Sequence, residues 1–363
     1  MQSVIYVYPL GHTVSFTLVA NKHVEWVKKL KLFDVYVMDE LAISSFAPSY
    51  KHKLVLHPGF FVLMRVLQAR GKYFEWWWEK FDEKIAVEVC DSDRYSERAV
   101  ELANMFAKFI VPSRFCVEVA KRSGIRTKVY WLPHGVDPEW YSLPNQWEVT
   151  PVKHVSPMLL ELYLYKLRRN VKYILFWLWH SPERKGWSEV VEVYRRLKRE
   201  RSDVVLVLKT YNPNTAEYFQ VARLGAINVY GWLDDYEKML LYDLADVNIL
   251  FSRGGGFELN CLEALARGIP CVASDWGSWT DYVPPYLRVK VGERVQPLPG
   301  NLIHVGYGYK VDVESAVDKI LDILDNLGEY RARVLEWREK VLSKTFRWDV
   351  IARRLKEILF DEG

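Results

Sequence analysis

Short unbroken apolar runs alternate along the chain with stretches whose apolar residues recur every three or four positions. In the second half the runs are Val171–Trp177, Val204–Leu208, Ile227–Tyr230, Val247–Phe251 and Pro270–Ala273. They lack polar alternation, as strands covered on both faces do. Between them, Trp187–Glu200 places Val190, Val191, Tyr194 and Leu197 at helical spacing. A polar loop, Tyr211-Asn212-Pro213-Asn214, leads into a helix to about Leu224. Asp235–Ala245 and Glu258–Arg267 predict two more helices, the second stopped by Gly268. Strand followed by helix, repeated, builds a parallel sheet with helices on both faces.

The first half repeats the pattern less regularly. Strands are expected at Ser3–Tyr8, Asp34–Met38, Lys53–Leu56, Lys84–Val89, Phe109–Val111 and Val129–Leu132. Helices are expected at Asn21–Leu30, Phe61–Ala69, Ser96–Ala107 and Ser113–Ser123. The fold class is therefore α/β, with two doubly wound domains, residues 1–150 and 171–345. Residues 151–170, with Pro151, Pro157 and one helix over Pro157–Arg168, are expected to connect them. Residues 346–363 form a last helix with Ile351, Leu355 and Leu359 on one face. Open α/β sheets take ligands beyond the carboxyl ends of their strands. Two such edges facing each other predict a ligand in a central cleft.

Composition narrows the class. Half of the 363 residues are hydrophobic and 26% are charged, which excludes a mainly disordered chain. A net charge of +4 argues against nucleic acid as the main partner. Met1–Asn21 lacks Lys, Arg, Asp and Glu but contains Pro9, Gly11 and His12. It reads as a first strand and turn rather than a membrane span or signal peptide. Cys90, Cys116, Cys261 and Cys271 form no C-x-x-C pair and are expected as buried thiols without a structural zinc. In Tyr73-Phe74-Glu75-Trp76-Trp77-Trp78 the three adjacent indoles cannot share one core. Two packed inside and one capping a loop is the expected arrangement, with sugar stacking or contact with a membrane surface as alternatives. Lys28, Lys29 and Lys31 beside Trp26 and Phe33 read as a solvated helix face, anionic lipid heads being the other reading.

Chemistry concentrates in two loops. In Phe251–Pro270 a strand runs into Gly254-Gly255-Gly256 and a helix opens directly after. Glycines admit a ligand close to the backbone, and free N–H groups at a helix start attract a phosphate or diphosphate. A plain glycine turn with favourable negative charge at the helix start remains open. Glu258 and Glu263 stand about 140° apart at roughly 100° per residue, so they are not a pair on one face. The second loop, Trp179–Trp187, reaches the same sheet edge with Arg184 and Lys185, two cations suited to a diphosphate or to solvent.

These residues resemble a retaining glycosyltransferase of the GT-B fold, family 4 (glycosyl transferases group 1). Gly255–Ala264 resembles the family's E-G-F-G-L-x-x-x-E-A donor loop, and Arg184-Lys185-Gly186 its phosphate turn. Val111-Pro112-Ser113 and Pro133-His134-Gly135-Val136-Asp137 resemble its first-domain marks. Tyr230-Gly231-Trp232-Leu233 and Leu241–Val247 follow in the family's order. The resemblance implies two Rossmann-like domains, the first on the acceptor side, with the closing helix crossing back onto it. It implies sugar transfer from a nucleotide diphosphate sugar, with retained configuration, no cofactor and no metal. It assigns Lys185 to the donor diphosphate, Glu263 to the ribose and Trp232, largely through its backbone, to the base. Gly256, Phe257, Leu259 and Asn260 surround the sugar and phosphate.

The departures are specific. The family's first glutamate falls on Gly255, which leaves Glu258 to substitute by reaching back. Its phosphate-turn arginine falls on His180, which leaves Arg184 to replace it. The histidine that the family places over the sugar falls on Cys90 or Asp91, and the early glycine pair is reduced to Gly11 with His12. The implied acceptor is a glycan, lipid-linked glycan or protein, and the implied location is cytoplasmic, with peripheral membrane contact open. A chain that has lost turnover and acts as a nucleotide- or glycan-binding module is the alternative reading.

Overall fold

The structure is a computed structural model that describes residues 3–12, 14–151 and 154–360. Its contacts divide the chain into two compact units. One comprises the chain up to Gly135, Leu298–Gly306 and the tail from Thr345. The other comprises Val136–Pro297 and Tyr307–Lys344.

The first unit holds a six-stranded parallel sheet, β1 (Ser3–Tyr8), β2 (Asp34–Asp39), β3 (Lys53–Leu56), β4 (Glu83–Val87), β5 (Lys108–Val111) and β6 (Lys128–Trp131). Its spatial order is β2-β1-β3-β4-β5-β6. The direction of winding reverses between β1 and β3, the edge where such sheets bind ligands. The first helix starts at Ser15 rather than Asn21. Thr17 and Val19 continue its buried face, and Thr17 Oγ1 donates to Pro9 O at 2.7 Å. The helix expected over Ser96–Ala107 stops at Ala103. Asn104 then turns its side chain to accept from the Arg126 and Thr127 amides, which ends the helix. Trp77 and Trp78 pack into the core with Phe74 and Phe81, whereas Trp76 faces outward under Lys80.

The second unit holds β7 (Lys172–Trp177), β8 (Val204–Thr210), β9 (Ile227–Tyr230), β10 (Val247–Leu250), β11 (Cys271–Ser274) and β12 (Arg288–Val289). All neighbours are parallel, in the order β12-β11-β10-β7-β8-β9. Here the winding reverses between β7 and β10. The hairpin β13 (Val291–Val295) and β14 (Gly308–Val311) and the helices Val313–Asp325 and Leu327–Trp337 lie beyond the elements expected from the sequence. The stretch 151–170, expected as a connection, contributes a helix, Pro157–Arg169, that belongs to this unit. Lys166 Nζ bonds Asp246 Oδ2 at 2.6 Å, and Tyr173 Oη donates to Leu162 O at 2.7 Å. Among the described residues, no helix is long and apolar enough to cross a membrane.

The closing helix Trp348–Phe360 completes the first unit around a buried histidine cluster. Tyr6 Oη lies 2.8 Å from His23 Nδ1 and 3.1 Å from His57 Nδ1, and Trp348 packs edge-on to His23. Burial pushes the pKa of His23 and His134 down to about 3 and that of His57 well below its usual value. A folded-state pKa below the unfolded one means that the unfolded chain binds the proton first. His23 therefore contributes stability above pH 6.5 that is lost as pH falls toward 3. Between pH 6 and 5 the wild type should lose about 1.2 kcal/mol more than His23→Gln, which keeps a partner for Tyr6 but does not titrate. Urea unfolding of both proteins at the two pH values checks this, and equal slopes would refute it.

Candidate active site

The reversal between β7 and β10 places two loops side by side at the carboxyl edge, residues 178–186 after β7 and 251–258 after β10. Gly186 makes their approach possible. Its φ is 74°, and a Cβ there would overlap the Phe251 carbonyl oxygen. Backbone and side chain then tie the loops together. Arg253 N donates to Arg184 O at 2.7 Å, and Arg184 Nη1 donates to Gly254 O at 2.9 Å.

Arg253, which the sequence reading passed over, is the main brace. Its guanidinium is buried, with Nη1 2.8 Å from Glu183 Oε1 and Nη2 2.7 Å from Ser188 Oγ. Nη2 also lies 3.0 Å from both Glu189 oxygens. The available signal was an arginine at a strand end, opposite a helix opening with Ser188-Glu189.

Glu258 lies at the centre. It occupies the position before the helix Leu259–Ala266, and its side chain does not cap that helix. The carboxylate turns back instead. Lys185 Nζ donates to Oε1 at 2.7 Å and Oε2 at 2.5 Å, and Ser252 Oγ donates to Oε1 at 2.8 Å. Arg184 Nη1 lies 4.0 Å away. A Cβ added to Gly255 would stand 2.7 Å from Glu258 Oε1 and 3.6 Å from Arg184 Nη1. The carboxylate of residue 258 thus fills the space that a side chain at 255 would enter.

Tyr282 holds the backbone of this turn: its hydroxyl accepts from Glu258 N at 3.1 Å and donates to Glu258 O at 3.0 Å. Its ring stacks on Phe257 at 4.8 Å, and Ser278 Oγ donates to Gly255 O at 2.7 Å. Gly256 lies between these anchors. Leu259 and Asn260 open the helix, where amides lack intrahelical acceptors.

Glu263, one turn further on, keeps a separate set of partners. Its Oε2 accepts from Tyr242 Oη at 2.8 Å, and Oε1 lies 3.3 Å from Lys238 Nζ. Trp232 is exposed and meets Trp179 edge-on at 6.0 Å, and Tyr211 meets Trp179 edge-on at 6.2 Å. His180 is exposed in the phosphate-turn loop, with Nδ1 2.8 Å from Ser181 Oγ.

In the first unit, His12 is exposed just beyond β1, at that sheet's own reversal point. Of the two residues expected after β4, Asp91 is half-buried and Cys90 is fully buried. The Cys90 thiol donates inward to Ser92 O at 3.1 Å, and burial raises its pKa well above the usual value. Asp91, not Cys90, is the residue available at this edge. Two neighbours were missed. The segment Leu298–Gly306 brings His304 Nδ1 to 3.5 Å from the Asp91 amide. Glu88 is buried, accepts from the Phe60 and Val89 amides, and has its pKa pushed up to about 7 by burial. A glutamate closing an apolar run was its signal. Among the described residues no three His, Cys, Asp or Glu side chains converge as a metal site.

Residues 172–326 match the family described as glycosyl transferases group 1. "Uncharacterized protein 356" of Sulfolobus islandicus rod-shaped virus 1 is 30% identical over 362 residues, covering 99% of this chain and 98% of that protein. "Putative glycosyltransferase 45" of Sulfolobus islandicus filamentous virus is 27% identical over 329 residues, covering 87% and 85%. Among solved structures, a glycosyltransferase from Rickettsia africae ESF-5 superposes with a TM-score of 0.68 at 14% identity. It covers all of this chain and 99% of its own.

Proposed function

This chain belongs to one family with the rod-shaped virus protein and is a glycosyltransferase of the GT-B fold, and from that premise we propose that it transfers a hexose-type sugar from a nucleotide diphosphate sugar to a glycan, lipid-linked glycan or protein, as a member of family 4. The observation that carries this reading is the convergence of Lys185, Ser252 and Arg184 on one carboxylate, beside three glycines and a helix start, at the reversal point of the second sheet.

In this reading the bond from the anomeric carbon to the diphosphate oxygen breaks, an acceptor oxygen bonds to that carbon with retained configuration, and the acceptor hydroxyl's proton passes to the leaving diphosphate. The negative charge that builds on the leaving diphosphate meets Lys185, Arg184 and the Leu259 and Asn260 amides. Glu258 holds Lys185 in place beforehand and supplies, from position 258, the carboxylate that the donor loop lacks at 255. Glu263 takes the ribose hydroxyls, Trp232 the base, and Asp91 with His12 the acceptor side. The cationic side chains supply charge neutralisation without a metal.

Purified protein incubated with UDP-, GDP- and ADP-sugars should release one nucleoside diphosphate, and EDTA should leave the rate unchanged. Glu263→Gln should raise the KM for that donor about tenfold or more, because a hydrogen bond to a charged carboxylate contributes about 1.5–3 kcal/mol. Release that stops in EDTA would remove metal independence, and an unchanged KM would remove Glu263 from the ribose.

A further inference from the structure

We propose that Lys209 is a positioning residue that presents the Trp232 amide to the donor's base; this rests on the donor reading above. Lys209 stands one residue before the end of β8 and is 1% exposed. Among the described residues no carboxylate forms an ion pair with it. Burying a cation without a counter-charge is unfavourable unless polar groups take its hydrogens. Here Nζ donates to Gly231 O at 2.5 Å and Thr210 O at 3.0 Å. The rings of Trp179 and Trp177 lie 5.0 and 5.4 Å from Nζ and add cation–π attraction.

The bond to Gly231 O has a directional consequence. In a planar trans peptide the carbonyl and the next N–H point opposite ways. With the Gly231 carbonyl drawn toward Lys209, the Trp232 N–H is turned away from it. That amide has no acceptor among the described residues. Gly231 N also donates to Thr210 O at 3.2 Å, so the ends of β8 and β9 meet on the same carbonyl as Lys209. The result is an outward N–H beside the exposed Trp232 indole, with Trp179 and Tyr211 alongside. A flat base with an acceptor on its edge has the matching chemistry: it stacks on an indole and takes the N–H. Burial, with Lys238 nearby, lowers the Lys209 pKa to about 8, and Glu237 offsets part of that shift.

The test separates base from diphosphate. Nucleoside diphosphates (UDP, GDP, ADP) and inorganic pyrophosphate would be titrated against wild type and Lys209→Met. Lys209→Met should weaken the preferred nucleotide about tenfold, leave pyrophosphate within twofold, and raise donor KM with kcat nearly unchanged. Lys209→Gln, which keeps a donor for Gly231, should lose less than the methionine variant, and it carries the test if that variant unfolds. Unchanged nucleotide affinity in both variants would overturn the proposal. So would equal loss of nucleotide and pyrophosphate, which is what general disruption produces. Wild type that binds pyrophosphate but no nucleotide would overturn the donor reading itself.

Discussion

Lys185→Ala lowers turnover by about a hundredfold or more. Removing one preformed group that faces developing negative charge typically costs about 3–4 kcal/mol of barrier. On the proposed reading Lys185 is such a group: its ammonium is fixed by both Glu258 oxygens at the edge of β7 and β10. The same geometry predicts the outcome of an exchange. Gly255→Glu alone drives a side chain into the Glu258 carboxylate and should be inactive. Glu258→Gly alone removes the acceptor of Lys185 and Ser252 and should also lose most activity. The double variant puts one carboxylate back into the same space and should recover at least tenfold over either single variant. Steady-state kcat for the four proteins decides it. A double variant no better than Glu258→Gly would mean that the two positions do not share one carboxylate site.

Asp243→Ala destabilises the second unit by about 3–5 kcal/mol, the usual effect of leaving a buried charge without its partner. The stranded charge is Arg267. Its Nε and Nη2 form a two-pronged pair with Asp243 at 2.8 and 2.7 Å. Its remaining hydrogens go to the carbonyls of Leu143 at 2.9 Å, Pro144 at 2.6 Å and Trp140 at 3.2 Å. Asp243 also accepts from Gln146 N at 2.7 Å. Both side chains are buried, so water cannot replace either one. Urea unfolding should show the loss, and limited proteolysis should open the chain near residues 140–146 first. Asp243→Ala with Arg267→Met removes both charges and should be less damaging than Asp243→Ala. If the single variant cost under 1 kcal/mol, the pair would not be what fixes this segment.

That pair holds the stretch after Gly135 to the second unit. Prolines at 138, 144 and 151 mark turns in the sequence, but a turn does not say which sheet its carbonyls will find. The strands were legible for the opposite reason. β7, β8 and β10 are short apolar runs whose length and composition already specify buried strands. The glycine-rich turn and the Arg184-Lys185 loop were legible as well, because close backbone approach and anion attraction leave local marks in residue type.

Several site residues had no such mark. Glu258 is expected from the sequence to reach back toward position 255, but its pairing with Lys185 across the loop has no local mark. Arg253 reads as a loop charge and is a buried brace on Glu183 and Glu189. Lys209 ends an apolar run and is drawn to the Gly231 carbonyl just past β9. His304 lies in a segment that joins the first unit from far along the chain.

The amino-acid sequence by itself determined the alternation of strands and helices, the two doubly wound sheets, and the two loops suited to a diphosphate, since each follows from residue types within a few positions of one another. The tertiary structure alone decided the strand order that sets those loops side by side, the carboxylate that replaces a side chain at 255, and the cation that orients the Trp232 amide. Lys185 and Glu258, like Lys209 and Gly231, are distant in the chain, and only the pairing of strands brings them within hydrogen-bond range.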